Sequence, residues 1–227
     1  HLSIRRQRQM CIRDRTNSLT KYNHRDGSIS ENLIVCSFLD SKNRIWFGTY
    51  GGGVFYYEKG KFTSLHYSNV NGKENPLQDI RSINEDMAGN IWIGTVVKGL
   101  YCYETNGTFT DYTVDDVPIA SNSITDLYCQ YGQNLYIATT AGLHVIDTYS
   151  RQVSQLSKNS AHKRQLDSFI SCVYRDSRGL LWIGGKEGLW IYNETQDSIA
   201  NLNSNNGLSH NFVRGITEDH NKNISVT

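Results

Sequence analysis

The carboxylates with the most regular spacing share one position of an internal pattern: Asp40, Asp86, Asp176 and Asp219. The first three stand six residues before a tryptophan, at Trp46, Trp92 and Trp182. A carboxylate can act as a general acid or base, or as a metal ligand. An aspartate that recurs in successive repeats is instead expected to serve each repeat, by accepting backbone N–H groups in a turn. We therefore interpret these aspartates as structural turn caps.

Other residue patterns that carry chemistry are missing from the sequence. The seven histidines form no pair at metal-ligand spacing, and no G-x-S-x-G, H-E-x-x-H or Walker pattern occurs. The segment 219–223 resembles the start of a calcium loop, but Ile224 stands where that loop needs glycine. We predict no metal, no cofactor and no enzymatic activity in this chain.

The nearly equal numbers of positive and negative residues limit which kinds of molecule this protein is expected to bind. The 227 residues include 23 Lys and Arg against 22 Asp and Glu, a net charge of +1. Such a balance argues against nucleic acid or an anionic membrane as the main partner. No apolar run is long enough for a transmembrane helix, and the basic N-terminus lacks the apolar stretch of a signal peptide.

The elements that must position these residues come from an internal repeat. Four segments align, at 40–58, 86–104, 130–148 and 176–194, and a fifth begins at Asp219. Their anchor residues are Trp46, Trp92, Tyr136, Trp182 and Ser225. Successive anchors are 46, 44, 46 and 43 residues apart. The repeat of about 45 residues therefore sets the architecture.

Each repeat is interpreted as four short strands. The second is an apolar run such as 91–93, typical of a strand buried on both faces, and the fourth is polar, as suits an outer edge. The pattern predicts an all-β fold, a β-propeller of consecutive four-stranded antiparallel blades. The blades are placed at about 33–67, 79–113, 123–157 and 169–203, with a partial blade at 212–227.

The two ends of the chain depart from whole blades. Residues 1–15 match no part of the repeat and are interpreted as either a sequence artefact or a native basic arm, whereas 16–227 form the propeller fragment. Residues 18–22 resemble the fourth strand of an earlier blade. We expect an incomplete arc with four whole blades and a partial blade at each end, whose open faces favour association.

Glycines and cysteines follow the repeat. Three glycines after the apolar run are expected where the next blade leaves no room for a Cβ atom: Gly48, Gly94 and Gly184. Four that open the third strand are expected to have positive φ: Gly53, Gly99, Gly142 and Gly188. The cysteines of the repeats fall in different blades, so we predict no disulfide among them: Cys36, Cys102, Cys129 and Cys172.

The second repeat carries a specific pattern most fully, in Ile80, Ile83, Asp86, 89–95, Gly99, Leu100 and Tyr103. This pattern resembles the two-component regulator propeller repeat, over about residues 18–227. The third repeat departs from it, with Gln130, Tyr136 and Ala138 in place of Asp, Trp and Gly. The resemblance implies the periplasmic sensor region of a hybrid two-component histidine kinase of Bacteroidetes type. Such sensors respond to oligosaccharides, and their signalling domains would lie outside this chain.

Three functions follow as hypotheses. The first is a sensor module that recognises an oligosaccharide within a full-length homodimer. The alternative is an interaction or dimerisation scaffold that contacts no small molecule. A propeller glycoside hydrolase or lyase ranks last, because the sequence has no cluster of Asp, Glu and His outside the repeat pattern.

We expect a ligand to contact loops on one face of the blades, because loops on a rigid scaffold commonly carry binding residues. The candidate contacts are Tyr50, Arg81, Lys98, Lys186, Glu187 and Arg214. Arg81 and Arg214 share one position of the first strand. Other repeats fill that position with Val35, Thr125 and Ser171. A charge at such a variable position is not required by the repeat and is available for function.

Overall fold

The structure is a computed structural model that describes residues 10–13, 19–26, 29, 31, 33–68, 74–75, 77–129 and 132–227. Parts of the N-terminal segment 1–15, of the loop 67–79 and the repeat position Gln130 lie outside the described residues. The chain divides into two compact units, His1–Ile83 and Asn84–Thr227.

In its described residues, the first unit contains two hairpins and a four-stranded sheet. Met10–Arg13 pairs with Leu19–Tyr22, and a 3₁₀ turn follows at His24–Asp26. The sheet runs in chain order and antiparallel through Ile34–Leu39, Ile45–Thr49, Val54–Glu58 and Lys61–Leu65. Tyr67–Ser68 and Glu74–Asn75 form the second hairpin.

Further sheets follow the same order of strands. One has Ile80–Glu85, in which the boundary of the units falls, Ile91–Thr95, Leu100–Tyr103 and Phe109–Tyr112. The next has Ile124–Tyr128, Asn134–Thr139, Gly142–Asp147 and Val153–Gln155. Another has Ile170–Arg175, Leu181–Gly185, Leu189–Asn193 and Ser198–Leu202, and Ile216–Glu218 pairs with Ile224–Val226. Consecutive four-stranded antiparallel sheets confirm the predicted fold class.

Neighbouring sheets of the second unit share one apolar seam. Trp92 and Leu100 of the second repeat pack with Ile124, Leu135 and Ile137 of the third, and all five are fully buried. A strand that is apolar on both faces can bury both in this arrangement, one against each neighbouring sheet. Burial of each aliphatic side chain contributes roughly 1.5–3 kcal/mol to stability.

The glycine expectations are confirmed. A Cβ atom at Gly94 would lie 2.5 Å from Cγ2 of Ile124, the first residue of the next sheet. The equivalent atom at Gly48 would lie 2.5 Å from Cγ2 of Ile80. Gly99 opens the third strand with φ of 80°, and its three equivalents also have positive φ. Close packing and left-handed turns therefore account for the glycines of the repeat.

Two details differ from the sequence-based strands. The connection 156–168 contains a 3₁₀ turn, Leu156–Asn159, and a one-turn α-helix, Lys163–Leu166. The helix forms because Leu166 is buried against the third repeat. The first strand of the partial repeat begins at Ile216 rather than Val213, whose N–H bonds to the carbonyl of Gly185 instead. Among the described residues, no helix has the length and apolar character needed to cross a membrane.

Candidate functional site

The recurrent aspartates cap the turn between the first and second strands. Oδ1 of Asp86 accepts the backbone N–H groups of Ala88 and Asn90, both at 3.0 Å. Its Oδ2 accepts Nε1 of Trp92 at 2.9 Å. Asp40 and Asp176 make the same three contacts in their own repeats, including Nε1 of the tryptophan at 2.7 and 2.9 Å. The six-residue spacing therefore joins the turn to the buried indole.

An arginine covers each of the four anchor aromatics. The guanidinium carbon lies 4.9 to 6.0 Å from the ring centroid in the pairs Arg44–Trp46, Arg151–Trp92, Arg175–Tyr136 and Arg178–Trp182. Each guanidinium also lies within 4.0 Å of a carboxylate. The arginines come from different positions of the repeat, so sequence alignment did not reveal them. The anchors are thus held by cation–aromatic contacts as well as by burial.

Electrostatics keep two of the buried capping aspartates, Asp40 and Asp176, ionised. Burial favours the neutral acid of Asp40, but hydrogen bonds from Trp46 and Arg44 outweigh it and hold the pKa below its ordinary value. The pKa of Asp176 is lowered for the same reason, with Trp182 and Arg178 as donors. A carboxylate whose oxygens are occupied in this way is a poor proton donor or metal ligand. Both carboxylates are therefore engaged by the turn and by the indole.

His144 is the fully buried imidazole of the third repeat. Its Nε2 accepts the N–H of Ala120 at 3.0 Å, which places the proton on Nδ1. Burial lowers the pKa of this imidazole, so the ring is neutral near pH 7. Among the described residues, no group of three or more His, Cys, Asp and Glu is arranged to hold a metal ion.

The candidate contact residues divide between the two units. Tyr50 and Arg81 are exposed and belong to the first unit. Lys98 is half-buried in the second unit, where Lys186, Glu187 and Arg214 are exposed. The structure brings Lys186 and Arg214 to one pair of aromatic rings.

That pair of rings is Phe169 and Phe212. Their centroids are 6.2 Å apart, with the ring planes at 41°. Nζ of Lys186 lies 4.6 Å from the centroid of Phe169, and Cζ of Arg214 lies 5.4 Å from that of Phe212. We call these four residues the phenylalanine cluster. Both rings are half-buried, so the cluster combines apolar surface with two exposed cations.

The phenylalanines were missed by sequence analysis, although a signal was present. Phe169 directly precedes the first strand of its repeat. Phe212 holds the equivalent position of the partial repeat, which other repeats fill with Leu33, Asp79 and Ser123. Aromatic residues occupy this position in two successive repeats only. Their contact depends on the packing of those repeats, which the linear pattern did not show.

The position of Arg81 and Arg214 has a structural use elsewhere. Thr125 and Ser171 hold this position in the third and fourth repeats, each where the register of the strand shifts. Their hydroxyls donate to backbone carbonyls of the following repeat, at Ile170 (2.6 Å) and Val213 (2.5 Å). The position therefore links successive repeats in some blades, and arginine replaces the hydroxyl in others.

Comparison with known protein families shows which repeat the sequence resembles. The sequence model described as two component regulator propeller matches residues 28–51, 76–96 and 165–187. Three segments of the chain are thus similar to the two-component regulator propeller repeat. The third matched segment includes Phe169 and Lys186 of the phenylalanine cluster.

Similar proteins agree with this repeat. Histidine kinase P4 of Formosa agariphila is 26% identical over 194 residues, which covers 78% of this chain and 13% of that protein. The extracellular domain of a hybrid two-component system from B. thetaiotaomicron is 21% identical with a TM-score of 0.57, over 94% of this chain and 34% of that one. The chain thus spans a small part of both.

A propeller of different activity is also similar in structure. Virginiamycin B lyase from Staphylococcus aureus is 13% identical with a TM-score of 0.70, over 96% of this chain and 70% of that one. At such low identity these structures establish the fold alone, a β-propeller.

Proposed function

We propose that this propeller segment belongs to the periplasmic sensor region of a hybrid two-component histidine kinase and recognises an oligosaccharide. The observation that carries the proposal is the match of three repeats to the two-component regulator propeller. The similarity to an extracellular domain of such a system supports the same placement. Kinase activity would reside in other domains of the full-length protein.

The use of the polar residues favours binding over catalysis. In three repeats the aspartate carboxylate already contacts turn N–H groups, an indole N–H and an arginine. The phenylalanine cluster, in contrast, presents exposed cations beside partly accessible rings. Sugars present C–H faces that pack on aromatic rings and hydroxyls that bond to charged side chains. The cluster therefore has the features of a sugar-binding surface, and it lies at the blade connections, where function was expected.

A binding assay separates this proposal from the scaffold alternative. The chain is purified and titrated with oligosaccharides from depolymerised plant, algal and host polysaccharides, by calorimetry after a glycan array. Its mass in solution is measured across the same concentrations by light scattering. We expect saturable binding of at least one oligosaccharide at a concentration that leaves the oligomeric state unchanged. Self-association or protein capture with no binding of any sugar would overturn the proposal and favour the scaffold.

A further inference from the structure

We propose that the phenylalanine cluster binds an acidic sugar, one that carries a carboxylate or a sulfate group. This inference rests on the proposed function and specifies the chemical class of its ligand. The acidic group would lie between Lys186 and Arg214, with a sugar ring against Phe169 or Phe212.

The positive charge of the cluster favours an acidic ligand. Four other cations that lie over aromatic rings, Arg44, Arg151, Arg175 and Arg178, each contact a carboxylate within 4.0 Å. Across the described part of the chain, Lys186 and Arg214 have no carboxylate at that distance. Two exposed cations that lie over one pair of contacting rings, with no carboxylate within that distance, favour an anionic ligand.

The turn next to the cluster differs from the same turn in the other repeats, and the difference allows the backbone of Phe169 to approach. In the other three repeats a threonine ends the second strand and caps the next turn through its hydroxyl: Thr49, Thr95 and Thr139. The fourth repeat has Gly185 there. A Cβ atom at Gly185 would lie 2.8 Å from the carbonyl oxygen of Phe169, so only glycine admits this approach without displacement.

Gly185 also fixes the second ring. Its carbonyl accepts the N–H of Val213 at 3.2 Å, which holds the segment that carries Phe212 and Arg214. Lys186 is the next residue along the chain. One glycine thus lies beside the backbones that present all four side chains. The fourth repeat therefore lacks the threonine cap of the other three, and in its place two rings and two cations come together.

Matched sugars test the ligand class. The whole chain is titrated by calorimetry with an oligogalacturonate, a chondroitin sulfate oligosaccharide and a neutral cello-oligosaccharide of equal length. We expect the acidic sugars to bind, and their affinity to fall as salt is raised, because both cations are exposed to screening. Preference for one acidic probe identifies the acidic group as carboxylate or sulfate.

Variants locate the binding. Lys186→Gln with Arg214→Gln should weaken acidic-sugar binding by about tenfold or more, as expected when charge-assisted hydrogen bonds are lost. The control pair Lys42→Gln with Lys61→Gln removes equal charge from exposed positions outside the cluster and should change affinity less than about twofold. All four side chains are exposed, so both variants should fold. Phe212→Ala should also weaken binding of the acidic sugar. Phe212→Tyr, which keeps an aromatic ring, should bind it as the unchanged chain does.

The outcomes separate the two proposals. A neutral sugar that binds as tightly as the acidic ones, or acidic binding unaffected by the double variant, would overturn the ligand class and leave the sensor function standing. Absence of binding by every sugar, in this experiment and on the array, would contradict the proposed function itself.

Discussion

At the scale of single residues, a tryptophan, an aspartate and an arginine form one structural group in each well-formed repeat. In the second repeat, Asp86 receives Nε1 of Trp92 while Arg151 lies over the indole. Nη2 of Arg151 also bonds to Glu104 at 2.9 Å. The indole N–H and the carboxylate would each be costly to bury alone, and each satisfies the other.

Removal of one partner should show this dependence. Asp86→Ala leaves Nε1 of Trp92 and two backbone N–H groups without their acceptor in a buried site. We expect a loss of roughly 3 kcal/mol in the free energy of unfolding, the upper end of the range for buried unpaired donors. Urea denaturation followed by tryptophan fluorescence measures it.

Asp219 provides the matched control for that substitution. It caps two backbone N–H groups in the same way, but it is exposed and Ser225 replaces the tryptophan. Asp219→Ala should therefore cost less than about 1 kcal/mol. Equal losses in the two variants would show that the buried indole contact contributes nothing.

At the scale of elements, the sheets are joined through positions that admit no side chain. Gly94 sits in a buried second strand, and its backbone faces Ile124 of the next sheet. The fourth repeat shows the same device in another place, since Gly185 admits the carbonyl of Phe169. Glycine thus sets how closely one element approaches the next.

A single methyl group should be enough to disturb this approach. Gly94→Ala places a Cβ atom 2.5 Å from Ile124, so the seam must widen, and we expect a loss of about 1–3 kcal/mol. Gly132→Ala is the control, because no heavy atom lies within 4 Å of its Cβ position. It should change stability by less than about 0.5 kcal/mol. Indistinguishable midpoints in chemical denaturation would contradict close packing at the seam.

At the scale of the whole molecule, both units contain capping carboxylates that are stabilised as anions. The pKa of Asp40 in the first unit and of Asp176 in the second is lowered, and hydrogen bonds from Ala161, Ser160 and Tyr192 lower that of Asp197 to about 2. A lowered pKa in the folded state means that stability is present above the unfolded pKa, about 3.9, and is lost as pH falls.

Acid should therefore destabilise the protein in two ranges. Burial lowers the pKa of His144, so stability should begin to decline as pH falls below about 6.5, where the unfolded imidazole takes up a proton. A steeper decline should follow below about pH 4 as the aspartates are protonated. Urea midpoints at pH 7.5, 5.5, 4 and 3 measure both ranges, and a midpoint that does not change between pH 5.5 and 3 would contradict the role of the aspartates.

The sequence was sufficient for features that each repeat enforces locally. The spacing of Trp46 and Trp92 predicted the sheets, and the glycines at positions such as Gly99 predicted left-handed turns, because strand alternation and backbone sterics act over a few residues. The aspartates were correctly interpreted as caps for the same reason, since their backbone donors lie two and four residues away.

Tertiary structure alone decided which distant residues meet. Arg151 reaches Trp92 across 59 positions of the chain, and Phe169 reaches Phe212 across 43. Such contacts depend on how two sheets pack, and a linear pattern holds no record of the angle and distance between them. Lys186 and Arg214 could be named from the sequence as available charges. The rings that contact them appear only once the repeats are packed side by side, as does the lack, among the described residues, of a carboxylate within 4.0 Å of either cation.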